Sequence, residues 1–424
     1  MGRKPTEGRG NIFTANNTLV ATNTETEQRH YPQGDSLEPL LGVSNSEMHG
    51  YFGIEASSNG ILQNHGDIYL TIALPLQKHI ESILDSYKIS LQADEVMAAV
   101  MESKTGKVLA LASSNRYHPA HIRQKDIPSL VPKFSSYPFE PGAVVMPLVM
   151  AAALERGYVD TTTELDIGNS QFALENGHTL KDEVPSSSLA LSDILKQYSR
   201  VAITKIAYLF SGVEFRQSLE SFGLGKVSNI WLPKDATGYL NTSATYTQST
   251  KRSNSACGYG VTATFMQLLK AYNVFNNDGL RLSPRLVEKV VDTKGETHII
   301  PPLAKEQAIS KKVADEMKAI LIDNIDQGTA LSNAKIKGLE VGAMADEAYI
   351  AKDGKYMREY RTSFYGFVND SQGHKYTVGI VVLHPMANKM FYASRSVVPV
   401  FREMVEVMRK EEYGLLNVGK EKIY

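Results

Sequence analysis

The sequence predicts an α/β fold of the α+β kind, in which helices flank one antiparallel sheet assembled from both ends of the chain. Three observations carry this expectation. Two apolar runs at residues 96–101 and 108–112, joined by Ser103-Lys104-Thr105-Gly106, read as a strand hairpin. Residues 143–154 contain no polar side chain, which reads as a helix with no wet face, deep inside a large domain. Beyond residue 339 come three more strand patterns and a closing amphipathic helix.

Composition narrows the function classes. A chain of 424 residues accommodates one large domain with a small appendage, or two domains. With 45 basic and 46 acidic side chains, nothing points to a nucleic-acid partner. The single cysteine, Cys257, excludes an intrachain disulfide framework or a cysteine-based metal cluster and reads as a buried thiol. The N-terminal Met-Gly-Arg-Lys-Pro lacks the apolar core of a signal peptide. The apolar run at 143–154 falls short of the roughly 18–20 residues a bilayer span needs.

Taken in order, residues 1–66 are polar and read as loops and short strands, a reduced N-terminal region ahead of a main domain over 67–424. Leu70-Thr71-Ile72 leads into a helix with Leu76, Ile80, Ile83 and Leu84 on one face. After the hairpin, a loop over 113–138 delivers the chain to the apolar helix. Pro141-Gly142 breaks the backbone before it, Pro147 suits its first turn, and Gly157 stops it. Polar loops at 160–185 precede a helical pattern at 189–210, and a Ser/Thr/Asn-rich loop is expected at 236–256. Strands at 339–344, 362–367 and 376–383 follow. The last helix, 398–411, buries Val400, Phe401, Met404, Val405 and Met408.

Several short motifs carry a resemblance. Arg9-Gly10-x-Ile12 with Asn16, Val20 and Ala21 is similar to the entry segment of class B penicillin-binding proteins, although Thr14, Ala15, Asn17 and later Ala73 depart from the pattern. Arg29-x-Tyr31-Pro32-x-Gly34, Leu41-Gly42 and Gly53-Ile54-Glu55 resemble the next block. Gly258-Tyr259-Gly260-Val261-Thr262-Ala263-Thr264 with Gln267 resembles a later one, and Glu140-Pro141-Gly142 before the apolar helix resembles the nucleophile segment. The resemblance implies the penicillin-binding transpeptidase fold shared with serine β-lactamases. It also implies a short remnant of the N-terminal pedestal, because only seven residues separate Ala21 from Arg29.

Acyl transfer from a D-alanyl peptide needs a nucleophile, a proton shuttle and donors for the developing oxyanion. In the resembled family a Ser-x-x-Lys, a Ser-x-Asn and a Lys-Thr-Gly supply them. The first falls on Ala143 and Met146, the second on Tyr198 and Arg200, and the third on Ala343, Met344 and Ala345. None of these side chains attacks a carbonyl or moves a proton, although backbone amides at Ala143 and along 343–345 would remain. Rival groups are Lys104-Thr105-Gly106 at the hairpin turn, Ser332-Asn333-Ala334-Lys335, Ser57-Ser58-Asn59, Ser113-Ser114-Asn115 and Ser199. His118 and His121 have metal-like spacing, but Pro119 keeps them off one helix face and they read as structural or surface residues. The charged run at 346–361 reads as a solvated loop.

The expectation is therefore a pseudoenzyme: a degenerate transpeptidase domain serving as scaffold or regulator in peptidoglycan synthesis or cell division. It would need no cofactor and no metal. Its partners would be peptidoglycan-synthesis or division membrane proteins, and its place the extracytoplasmic side of a bacterial inner membrane, held by an N-terminal anchor outside this chain. Two alternatives stand beside it. One is a non-covalent sensor of peptidoglycan stem peptides, with Arg200 pairing a terminal carboxylate. The other is a residual D,D-transpeptidase or carboxypeptidase using a serine such as Ser199.

Overall fold

The computed structural model describes residues 8–303, 305–328, 330–352, 355–386 and 392–417. The polar entry region forms only short strands, β1 (Ile12–Phe13), β2 (Leu19–Asn23) and β3 (Arg29–His30). Strand β4 (Asp67–Leu70) leads into helix α1 (Leu74–Leu91), on which Leu76, Ile80, Ile83 and Leu84 are all buried as the spacing predicts. Strands β5 (Glu95–Glu102) and β6 (Val108–Ser113) form the expected hairpin. At its turn Gly106 has φ +72°, and a Cβ there would lie 2.8 Å from the Ser283 carbonyl oxygen. Lys104-Thr105-Gly106 is therefore a turn that only glycine fits.

The apolar segment opens as a 3-10 turn, Gly142–Val145, and becomes an α-helix, α2 (Met146–Glu155), only at Met146. Every residue from 143 to 154 is buried. Helices α3 (Arg200–Tyr208), α4 (Ser249–Ala256) and α5 (Phe265–Asn273) follow, then strands β7 (Val287–Val291) and β8 (Thr297–Ile299). After α6 (Lys311–Asp326) come three long strands, β9 (Glu340–Lys352), β10 (Lys355–Asn369) and β11 (Lys375–Leu383), and the closing helix α7 (Val397–Met408).

Two sheets organise these elements. A five-stranded sheet runs β9-β10-β11-β5-β6 with every neighbour antiparallel, so its strands come from both ends of the chain. A second, six-stranded sheet runs β8-β7-β4-β1-β2-β3. The five-stranded sheet is covered on both faces, which explains why β5 reads as a continuous apolar run rather than an alternating one. Val96, Ala98 and Val100 face a core built with α1 and α7, whereas Met97, Ala99 and Met101 face the core that contains α2 and α5.

Four expectations are corrected. The pattern at 189–210 is not one helix: Tyr198 at φ +51° breaks it immediately before α3. The polar stretch at 160–185 holds three short strands, Glu164–Asp166, Gln171–Ala173 and Thr179–Lys181. The Ser/Thr/Asn-rich stretch at 236–256 contains α4, whose weak propensity is overridden by packing. There the buried Arg252 bonds the Tyr246, Thr247 and Ala207 carbonyls, and Ser253 meets Thr204 at 2.8 Å. Finally, the described residues of the run at 346–361, which are 346–352 and 355–361, are sheet, not solvated loop: Asp346 and Glu347 are only partly exposed and Arg361 is 4% exposed.

Candidate functional site

Backbone hydrogen bonds dock the segment ahead of the apolar helix against residues 258–263. Phe139 and Ala263 exchange both of their N–H···O bonds at 2.9 Å, and the Gly142 amide donates to the Gly258 carbonyl at 3.1 Å. The two motif blocks at 140–142 and 258–264 thus lie side by side. Tyr272 on α5 closes the turn by donating to the Val144 carbonyl at 2.7 Å. Strand β9 then brings 343–346 against this turn. On its far side the buried Asn324 of α6 donates to the Ala343 carbonyl at 2.9 Å and contacts Met344 Sδ at 3.6 Å.

At the centre, the Ala143 amide donates to Asp346 Oδ2 at 2.8 Å. That amide is a donor a helix-opening nucleophile would direct at an oxyanion, and here a carboxylate of the same chain accepts from it. The approach is tight. Gly142 has φ +67°, and a Cβ on it would fall 1.8 Å from Asp346 Oδ2. Burial pushes the Asp346 carboxyl up to about 7, with Glu347 adding to the effect while the Ala143 amide and Arg361 oppose it. Arg361 itself is held below its ordinary value by burial. Its guanidinium lies 4.2 Å from the centre of the Phe139 ring, and it donates to the Glu140 carbonyl. Glu140 in turn accepts from the Gly260 amide at 2.7 Å and the Tyr356 hydroxyl at 3.3 Å.

The sequence-assigned positions divide between this pair's surroundings and other parts of the fold. Ala143 is 5% and Met146 1% exposed, and both belong to one core with Met344. Ala343 and Ala345 point to the opposite core, beneath α7. Tyr198 is partly buried, and burial, followed by the nearby Glu347 and Asp346 carboxylates, pushes its hydroxyl far up. Arg200 is exposed and lies beside the buried Cys257 thiol, whose pKa burial raises. No side chain at the seven positions is both nucleophilic and next to a base.

The rival groups are accounted for locally. Ser199 caps α3 by accepting from the Ala202 amide at 3.0 Å, and its hydroxyl donates to Asp182. Asp182 also accepts from the Arg200 and Val201 amides, so Ser199 serves a helix start. Ser58 accepts from Trp231 Nε1 at 3.0 Å, and Ser113 donates to Glu95 at 2.6 Å. Ser332 lies in the 3-10 turn Ser332–Ala334, and Thr329 ahead of it lies outside the described residues. Among the described residues Asp292, Glu296 and His298 bring candidate ligand atoms within 4.8 Å of one another, and the His118 and His121 ring centres lie 5.3 Å apart. Asp292 there accepts turn amides from Lys294 and Glu296.

Sequence reasoning missed Asp346 and Arg361. The available signal was strand periodicity, since Asp346 lies two residues past Met344 and so shares its face.

Comparison with known proteins bears on this arrangement. The penicillin-binding-protein transpeptidase domain matches residues 96–406. The peptidoglycan D,D-transpeptidase FtsI of Buchnera aphidicola is 26% identical over 413 residues, covering 90% of this chain and 70% of that protein. The enzyme of the same name from Escherichia coli is 25% identical and is covered over 66% of its length. The crystal structure of apo penicillin-binding protein 3 from Mycobacterium tuberculosis superposes with a TM-score of 0.87 at 22% identity, covering 97% of both chains.

Proposed function

This chain belongs to the penicillin-binding-protein transpeptidase family, and from that premise we propose that it is a non-catalytic member acting as a scaffold or regulator in peptidoglycan synthesis or cell division. One observation carries the reading: the Ala143 amide is already bonded to Asp346 Oδ2. A tetrahedral intermediate would need that donor for its oxyanion. A carboxylate in the same place contests it sterically and, when ionised, by repulsion. Loss of the attacking hydroxyl compounds this. By analogy with serine proteases, removing the nucleophile costs on the order of 10⁶ in kcat.

The scaffold reading follows because the fold is kept whole while Ala143, Met146, Tyr198, Arg200, Ala343, Met344 and Ala345 offer no acyl-transfer chemistry. Its partners are peptidoglycan-synthesis or division membrane proteins, met on the extracytoplasmic side of the inner membrane. Among the described residues no helix is long and apolar enough to cross a membrane. Affinity capture from peptidoglycan-synthesising membranes, with this chain as bait, should retain wall-synthesis proteins. Capture of none of them would overturn the reading.

A second reading is favoured by Arg200, which is exposed and forms no ion pair among the described residues. It would serve a sensor by pairing the terminal carboxylate of a stem peptide. Titration with a D-Ala-D-Ala stem peptide separates the two readings, since the sensor binds it and the pure scaffold does not.

A further inference from the structure

A cavity of about 360 Å³ shares no residue with the Ala143 centre. It lies between the loop at 223–229, the end of α5 and the short strand Leu280–Arg281. Its polar walls are Lys226, Asn229, Lys270, Arg281, Ser283 and Glu306. Lys270 and Arg281 are each 6% exposed, which is uncommon for cations unless they are paired.

Arg281 has its charge answered. It pairs with Glu306 and donates to the carbonyls of Glu220, at 2.9 Å, and Ser221. Lys270 does not. Its ammonium reaches the Ser228 carbonyl at 3.3 Å and the Ser283 hydroxyl at 3.2 Å, both neutral and both long for a charged donor. Burial, and then the neighbouring Arg281, push its pKa down to about 8. Glu306 and then Asp235 oppose this from nearby, but Glu306 is paired with Arg281 and Asp235 accepts from the Ser228 hydroxyl and the Asn229 amide. Lys226 is exposed at the rim and has no ion pair among the described residues.

Three cations against one lining carboxylate leave two positive charges without a partner in a concave, partly dry site. We propose that this cavity binds a phosphate group, free or carried as a monoester, held by Lys270 and Lys226 with Ser283 and Asn229 as neutral contacts. A dianion matches the excess charge. The guanidinium fork that would favour a planar carboxylate is already engaged by Glu306, whereas ammonium groups act as point charges suited to a tetrahedral oxyanion.

The test is calorimetric titration of the whole chain at pH 8 and fixed ionic strength, balanced with chloride, using inorganic phosphate and glycerol phosphate as separate probes. Saturable one-to-one binding of either probe is expected. Because Lys270 gains a counterion, binding should take up protons, read as heat that varies with the ionisation enthalpy of the buffer. Lys270→Gln should weaken binding about tenfold or more and abolish that uptake. Lys226→Ala, at an exposed position, should weaken it several-fold. No saturation by either probe below ~10 mM, or isotherms that both substitutions leave unchanged, would overturn the proposal.

Discussion

Replacing Asp346 by asparagine deletes one charge while keeping an oxygen that accepts from the Ala143 amide, so it isolates the electrostatics of the centre. Burial first, then Glu347, raise the Asp346 carboxyl from its ordinary 3.8 to about 7. A folded state that holds a proton more tightly than the unfolded chain is most stable while that proton is bound. Stability from this group is therefore full below about pH 4, falls as pH rises through the window up to about 7, and stays at its lower level above it. At about 1.4 kcal/mol per pH unit across that window, the loss is at most about 4 kcal/mol. Asp346 keeps some exposure to solvent, so this is an upper bound.

Asparagine does not titrate, so Asp346→Asn should resemble the parent near pH 4 and become more stable by up to that amount at pH 8. Urea unfolding between pH 4.5 and 8 can follow the emission of Trp231, the single tryptophan, whose indole bonds Ser58. A substituted chain less stable than its parent at pH 8, or a gap that ignores pH, would refute the account of the Ala143–Asp346 contact.

Other substitutions test neighbouring parts. Gly142→Ala combines a positive φ with a Cβ inside the Asp346 carboxylate. It should cost ~2 kcal/mol or more, and a double-mutant cycle with Asp346→Ala should show the two effects to be strongly non-additive. Ser199→Ala removes the α3 cap and should lower stability by ~1–2 kcal/mol in thermal melts. A loss of under a few tenths would deny the capping role. Cys257, buried and with a raised pKa, should react with a thiol reagent only after unfolding. Rapid labelling of the native chain would contradict that placement.

The parts legible in the sequence are those where one kind of burial dominates. The strands at 96–101 and 108–112 and the run at 143–154 are apolar because both sides are covered, and α7 shows its stripe because only one side is. Charge misled at 346–361, where acidic and basic side chains suggested solvent. In the sheet, Asp346 pairs in register with Ser363 and Glu347 with Thr362, and a strand needs only its backbone to continue. Tyr198 broke a helical pattern through a left-handed conformation that no tyrosine advertises. The α4 helix was hidden because Arg252, rather than propensity, holds it.

The candidate centre was legible by position and illegible by contact. Motif order pointed to Ala143, Met146, Tyr198 and residues 343–345; in the fold Ala143, Met146 and Met344 share one core, whereas Ala343 and Ala345 face the other. Arg200 lies beside Cys257. That a carboxylate from β9 would bond the Ala143 amide depends on how two distant segments dock, and local pattern carries no record of that.

A non-catalytic chain has no serine that a penicillin can acylate. Incubation with a penicillin in large excess, followed by intact-mass measurement, should return the unmodified mass. A mass increase equal to the penicillin, mapped by peptide digestion to any serine, would contradict it.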